Sequence, residues 1–203
     1  MPTTTFFNLP PPKRERLLRA AVEEFAQKPF NEVSINRIIH VAGIPRGSFY
    51  QYFENKTDLF QHILEYFGKK LEKTILASLD ACGGDLLAAP LALFDQTIVC
   101  IRENRLEFQI LIGIFRQNAG MDASQMWDFT SMAQIILGRA DMDRLNIAGQ
   151  EKRIALLDLL FSSTVQALMA ASCGKLTLEE SRERLANKIA IIRQGAETKE
   201  EPC

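Results

Sequence analysis

Between Ala42 and Arg46 the chain carries Gly43-Ile44-Pro45, three residues that stop one helix and open another. Gly43 stands where a helix ends in a left-handed residue, a conformation only glycine adopts cheaply. Pro45 suits the start of a new helix, where its missing N–H costs nothing. Upstream, Ile35, Ile38, Ile39 and Ala42 recur at helical spacing, and Ser34 stands where an N-cap hydroxyl accepts from a free backbone N–H. Downstream, the segment Arg46–Phe53 sets Phe49 and Phe53 on one side and Arg46, Gly47, Ser48, Tyr50, Gln51 and Tyr52 elsewhere. Ser34 to Lys56 therefore reads as two short helices around a tight turn, a helix-turn-helix.

Three short helices can bury a small common core. Pro10-Pro11-Pro12 ends an N-terminal arm, expected to be flexible, and opens a first helix from about Lys13 to Gln27. Leu18, Ala21, Val22 and Phe25 form its apolar stripe, and Pro29 ends it. The shared core is expected to be Leu18, Val22, Phe25, Ile35, Ile38, Ile39, Phe49 and Phe53. Such short helices are marginal alone. A fourth helix, from Lys56-Thr57-Asp58 to about Leu79, repeats Leu59, Phe60, Ile63, Leu64, Phe67, Leu71, Ile75 and Leu79 at helical period. Its first positions are expected to close the N-terminal core, and the rest to extend into a second domain.

After the break Cys82-Gly83-Gly84-Asp85, every segment reads as helical and none alternates as a strand does. Helices are expected over Leu86–Asn104, Leu106–Asn118, Asp122 or Ser124 to Leu137, Glu151–Ser172 and Thr177–Gln194, with a loop over Asp141–Gly149. Thr177 and Glu180 form a capping box. The fold class is all-α, about nine helices in total: a helix-turn-helix domain over 1–57, a helical domain over 58–195, and a disordered tail over 196–203. The most apolar stretch, Ile154 to Ala171, is interrupted by Asp158, Ser162, Ser163, Thr164 and Gln166, so no membrane span is read. The N-terminus has no secretory pattern, and the four cysteines (Cys82, Cys100, Cys173, Cys203) are scattered, without metal or disulfide spacing. A cytoplasmic protein without cofactor or metal is expected.

The second helix of the turn motif has the chemistry to read DNA. Arg46 can make bidentate contacts to guanine, Gly47 lets the backbone approach, and Tyr50 or Gln51 can touch bases. Ser48, Tyr50, Tyr52 and Lys56 are suited to phosphates, and Lys56 lies at a helix start that favours an anion. Charge adds little: residues 1–60 hold eight Lys/Arg against six Asp/Glu, and the whole chain carries −1. His40 and His62 read as non-catalytic. No nucleotide-binding or nucleophile motif is present, and Glu23-Glu24 and Glu179-Glu180 read as solvated surface, so an enzyme is not expected.

The run Ala42-Gly43-Ile44-Pro45-Arg46-Gly47-Ser48-Phe49-Tyr50-Gln51-Tyr52-Phe53, followed by Asn55-Lys56-x-Asp58-Leu59, resembles the DNA-binding signature of TetR-type bacterial transcriptional regulators, over residues about 13 to 60. The resemblance implies that Arg46, Gly47 and Tyr50 face bases, that Ser48, Tyr52 and Lys56 face the backbone, and that Asn36 can read a base. With Ser34, Arg37, Pro45 and Gln51 these make the candidate interface with a double-stranded operator. The resemblance also implies a C-terminal cavity for a small effector, here apolar, with Phe94, Ile98, Ile101, Phe108, Gln109, Ile112, Phe115, Met126, Trp127 and Phe129 as candidates. Glu151–Ser172 is apolar on more sides than one packing face requires, and with the last helix it suggests a homodimer through Leu157, Leu160, Phe161, Thr164, Leu168, Leu185, Ile189 and Ile192. The implied function is a repressor released by a ligand that shifts the fourth helix. The alternative is a helical small-molecule-binding or scaffolding protein with a vestigial helix-turn-helix.

Overall fold

A computed structural model of the chain describes residues 1–103, 112–114, 116–117 and 129–196, with residues 129, 130 and 196 as backbone only. The described elements are helical. They are α1 (Thr4–Phe7), α2 (Pro11–Gln27), a 3₁₀ turn (Phe30–Glu32), α3 (Ile35–Ala42), α4 (Arg46–Tyr52), α5 (Lys56–Ala81), α6 (Ala89–Arg102), α7 (Phe129–Arg139), a second 3₁₀ turn (Met142–Arg144), α8 (Gln150–Ser172) and α9 (Leu178–Ala196). The expected segment Leu106–Asn118 lies outside the described residues except at 112–114 and 116–117, which are helical. The same holds for the start of the segment before Leu137 and for residues 197–203.

Contacts divide the chain into two compact units. The first runs from Met1 to Lys70 and takes in residues 112–114 and 116–117; the second begins at Leu71. The first unit thus reaches beyond residue 57. The reason is that Leu59, Phe60, Ile63, Leu64 and Phe67 of α5, together with Ile114, are buried in one core with Phe25, Ile38, Ile39, Phe49 and Phe53. Leu18, Val22 and Ile35 are only partly buried against that core. The buried stripe of α2 is Leu17, Ala20, Ala21, Glu24 and Phe25. Close packing is visible at Gly113, where an added Cβ would lie 2.8 Å from the carbonyl oxygen of Ala26.

The arm is not free in this structure. Phe6 is 1% exposed and belongs to the same core, its ring 4.8 Å from that of Phe53. A single turn of helix, Thr4–Phe7, delivers it there.

In the second unit α6 packs against α8 and α9, and α7 against α8. Bidentate Arg182–Asp95 contacts of 2.8 and 2.9 Å tie α9 to α6. The capping box forms as expected: Thr177 N–H donates to Glu180 Oε2 at 2.8 Å, and Glu180 N–H to Thr177 Oγ1 at 3.1 Å. Helix α8 is long and apolar enough to cross a membrane by length and composition. Here its residues Leu156, Leu157, Leu160, Ser163, Thr164 and Ala167 are buried.

Candidate nucleic-acid interface

The turn is built by local bonds. Ser34 Oγ accepts from Arg37 N–H at 3.4 Å and caps α3. Gly43 adopts φ 65°, ψ 40°, and the crossed bonds Gly43 N–H to His40 O and Ile44 N–H to Ile39 O close the helix as a Schellman motif. Ile44 is then buried, and Pro45 leads into α4. Past α4, Asn55 Oδ1 accepts from Asp58 N–H at 3.0 Å, while Asp58 Oδ2 accepts from Glu54 N–H at 3.1 Å. The Asn-Lys-x-Asp run is therefore a reciprocal cap that starts α5 next to the end of α4.

On this frame the candidates separate into two groups. Asn36, Pro45, Arg46, Gly47, Tyr50 and Gln51 are exposed, with Ser48 half-buried beside them. Among the described residues, Arg46 makes no hydrogen bond or ion pair, and no neighbour lies within 4 Å of the position a Cβ would take at Gly47. The remaining candidates are engaged by partners within the chain. Tyr52 is corrected from the exposed face to the core: it is 4% exposed, because it lies three residues from Phe49, one helical turn away on the buried side. Lys56 Nζ donates to Asn31 O and Val33 O, both at 3.2 Å, and sits 4.8 Å over the Phe30 ring. It fastens the 3₁₀ turn to α5 rather than standing free for a phosphate. Arg37 Nε lies 3.0 Å from Glu24 Oε2.

Glu24 is a further correction, because it is not solvated surface. At 4% exposure it faces Arg37, Lys28 at 3.0 Å, and the Ser34 N–H at 3.4 Å, so one carboxylate joins α2 to the start of α3. The spacing Leu17, Ala20, Ala21, Glu24 places it on the buried stripe, a signal present in the sequence. Thr3, which touches the end of α4, carries no comparable signal.

His62 is half-buried among the rings of Phe6, Phe7 and Phe53, at 5.3, 6.2 and 6.1 Å. Loss of hydration lowers its pKa; Glu65 and Asp58 pull the other way, and the N-terminal amine and Lys69 add to the lowering.

A cavity of about 50 Å³ lies in the second unit, lined by Ile75, Leu79, Leu86, Ala89, Pro90, Leu93, Met132, Ile136, Leu157, Leu160, Phe161 and Thr164. Of the pocket candidates with described side chains, Phe94, Ile98, Ile101 and Ile112, none lines it. Phe94 and Ile98 fill the core, Ile101 packs beside it, and Ile112 belongs to the first unit. Phe108, Gln109, Phe115, Met126 and Trp127 lie outside the described residues, as does the Phe129 side chain.

The dimer candidates divide by their burial within the protomer. Leu157, Leu160, Thr164, Leu185 and Ile189 are buried within the protomer, and Phe161, Leu168 and Ile192 pack against that core. The exposed large apolar side chains of α8 and α9, among the described residues, are Leu159 at 49% and Ile191 at 71%.

Residues 17–63 match the model of the family "Bacterial regulatory proteins, tetR family". Over this region the chain is similar to the TetR family. The transcriptional regulator AcuR of Cereibacter sphaeroides is 35% identical over 66 residues, 30% of this chain and 30% of that protein. A probable acrEF/envCD operon repressor of Escherichia coli is 38% identical over 50 residues, 25% of this chain and 23% of its own length. The chain thus matches about a third or less of the length of these curated relatives. Solved TetR-family structures extend the likeness. One from Chloroflexus aurantiacus is 25% identical, covers 98% of this chain and all of its own, and superposes with a TM-score of 0.57. One from a Shewanella species shares the fold, with a TM-score of 0.61 at 15% identity over 92% of this chain and 99% of its own.

Proposed function

We propose that the chain is a sequence-specific DNA-binding transcriptional regulator, a dimeric repressor released from a palindromic operator by a small, largely apolar ligand. The observation that carries this reading is the exposed face of α4. Unpaired Arg46, bare Gly47, Tyr50 and Gln51 stand outward together, while Phe49, Tyr52 and Phe53 anchor the helix from behind. A helix that enters the major groove needs that division. The resemblance of residues 17–63 to the TetR model supports it, as do relatives named as a regulator and an operon repressor. Such a protein acts on DNA in the cytoplasm.

The ligand reading rests on the cavity walls, which are apolar apart from Thr164, whose hydroxyl already donates to Leu160 O at 2.8 Å. A drug-sized ligand needs a pocket of roughly 300 Å³ or more, so entry requires the flexible Met132 and the Phe161 ring to move. Ile75 and Leu79 on this wall belong to α5, the same continuous helix whose Leu59, Ile63 and Phe67 lie in the core behind α4. A ligand that displaces the wall favours one pose of that helix over another, a population shift. The dimer reading moves to the outward side of α8 and α9, around Leu159 and Ile191.

The test is selection of duplexes from a random library by the whole protein, followed by binding of Arg46→Ala and Tyr50→Ala to the enriched duplex. Loss of one bidentate base contact costs about 1–3 kcal/mol, roughly 5- to 150-fold. Each variant is expected to weaken binding within that range while keeping wild-type helicity and size in solution. A wild-type protein that enriches no sequence, or variants that bind as it does, would leave a scaffold with a vestigial motif.

A further inference from the structure

The last carbonyls of a helix have no partner within it. In α4 these include Gln51 and Tyr52, and the N-terminal segment meets both. Thr3 Oγ1 donates to Gln51 O at 2.5 Å, and Thr3 N–H donates to Tyr52 O at 3.0 Å. Three residues on, Phe6 enters the core against Phe53, the residue at which α4 gives way to extended backbone (φ −136°, ψ 137°). Arg14 Nη1 donates to Phe7 O at 3.1 Å and holds the far end of the segment to α2.

We propose that Thr3 and Phe6 are positioning residues for the reading helix: the segment Thr3–Phe7 clamps the C-terminal end of α4 and so sets how Arg46, Tyr50 and Gln51 meet the groove. This rests on the reading of α4 as the DNA-contacting helix. Helix α4 is seven residues long, a length that does not hold itself together in water. Its N-terminal end is fixed by the turn at Gly43–Pro45, but its own chain does not continue helically beyond Tyr52. Without Thr3 the last turn frays, and Gln51, which is exposed on that turn, loses its fixed direction. Base readout tolerates displacements of only about 0.5 Å and 10–20°. Phe6 supplies the anchor, because a ring this deep in the core holds Thr3 in reach of α4 without an ordering cost at the moment of binding.

The experiment uses the full chain and a duplex enriched from a random library by the wild type, with a scrambled duplex as reference. Thr3→Val removes the hydroxyl donor, and Thr3→Pro removes both donors while fitting the local backbone (φ −75°). Thr3→Ser keeps both. At about threefold to tenfold per hydrogen bond, Thr3→Val is expected to lose about threefold to tenfold in affinity for the enriched duplex, and Thr3→Pro about tenfold or more. Binding to the scrambled duplex should hold, the melting temperature should fall by no more than a few degrees, and Thr3→Ser should restore wild-type affinity. Phe6→Ala should lose both stability and affinity, but the Thr3 series decides the matter without it. Thr3→Val and Thr3→Pro binding the enriched duplex as the wild type does would overturn the clamp while leaving the DNA reading intact. A wild type that enriches no sequence would overturn the DNA reading and the clamp together.

Discussion

Glu23 and Glu24 are neighbours in sequence and differ in what they hold, which makes their neutralisation a sharp test. Glu24→Gln keeps size and shape and leaves an amide oxygen for the Ser34 N–H. It removes the charge that faces Lys28 and Arg37, each at 3.0 Å. A charge-assisted hydrogen bond contributes about 1.5–3 kcal/mol. The two cations are discounted because their side chains are 34% and 58% exposed and rehydrate when released. That leaves about 2 kcal/mol for the pair, or roughly 4–8 °C in Tm for a protein of this size. Glu23→Gln loses only an i,i+4 pair with Arg19, whose partners are 42% and 71% exposed, and is expected to shift Tm by about a degree or less. Differential scanning calorimetry at pH 7 on both variants reads the contrast. The effect of Glu24→Gln should persist at high salt, because buried pairs are poorly screened. Equal melting of the two variants would refute the assignment of Glu24 as the tie between α2 and α3.

At Gly113 a new methyl group meets the Ala26 carbonyl at 2.8 Å, so Gly113→Ala is expected to cost about 1–3 kcal/mol as overpacking; an unchanged urea midpoint would disprove the close approach. Because burial holds His62 below the ordinary value of about 6.5, its contribution to stability is full above that pH and falls as pH drops through the lowered pKa. An NMR titration should find the His62 midpoint below about 6.5, and His62→Phe should flatten the Tm profile as pH falls below that value; a midpoint at or above it contradicts the reading. For the dimer, Leu159→Glu or Ile191→Glu should yield monomers by light scattering with little change in fold, since both side chains are exposed. Leu157→Ala or Leu160→Ala should instead cost about 2–5 kcal/mol of stability as buried truncations.

What the sequence determined by itself is the set of features whose physics closes within a few residues. The Ser34 cap, the Gly43–Pro45 stop and start, and the Thr177–Glu180 box follow from local hydrogen bonds and allowed backbone angles. The course of α5 was legible because its apolar period runs unbroken through many turns. The outward Arg46, Gly47, Tyr50 and Gln51 followed from the same local reasoning. Only the tertiary structure decided which side of an ambiguous helix turns inward. Helix α8 is apolar on most sides, so its period could not tell Leu157 and Leu160, which line the cavity, from Leu159, which faces outward. Tyr52 and Glu24 were taken for surface from their polar atoms, yet each sits on a buried stripe; the tyrosine places a large ring in the core, and the carboxylate finds its partners just past α2 and at the start of α3. The clamp of Thr3 on Gln51 joins residues 48 apart and has no local signature. Such contacts come from free carbonyls and buried rings meeting in space, and that meeting is fixed by packing, which no short window of sequence contains.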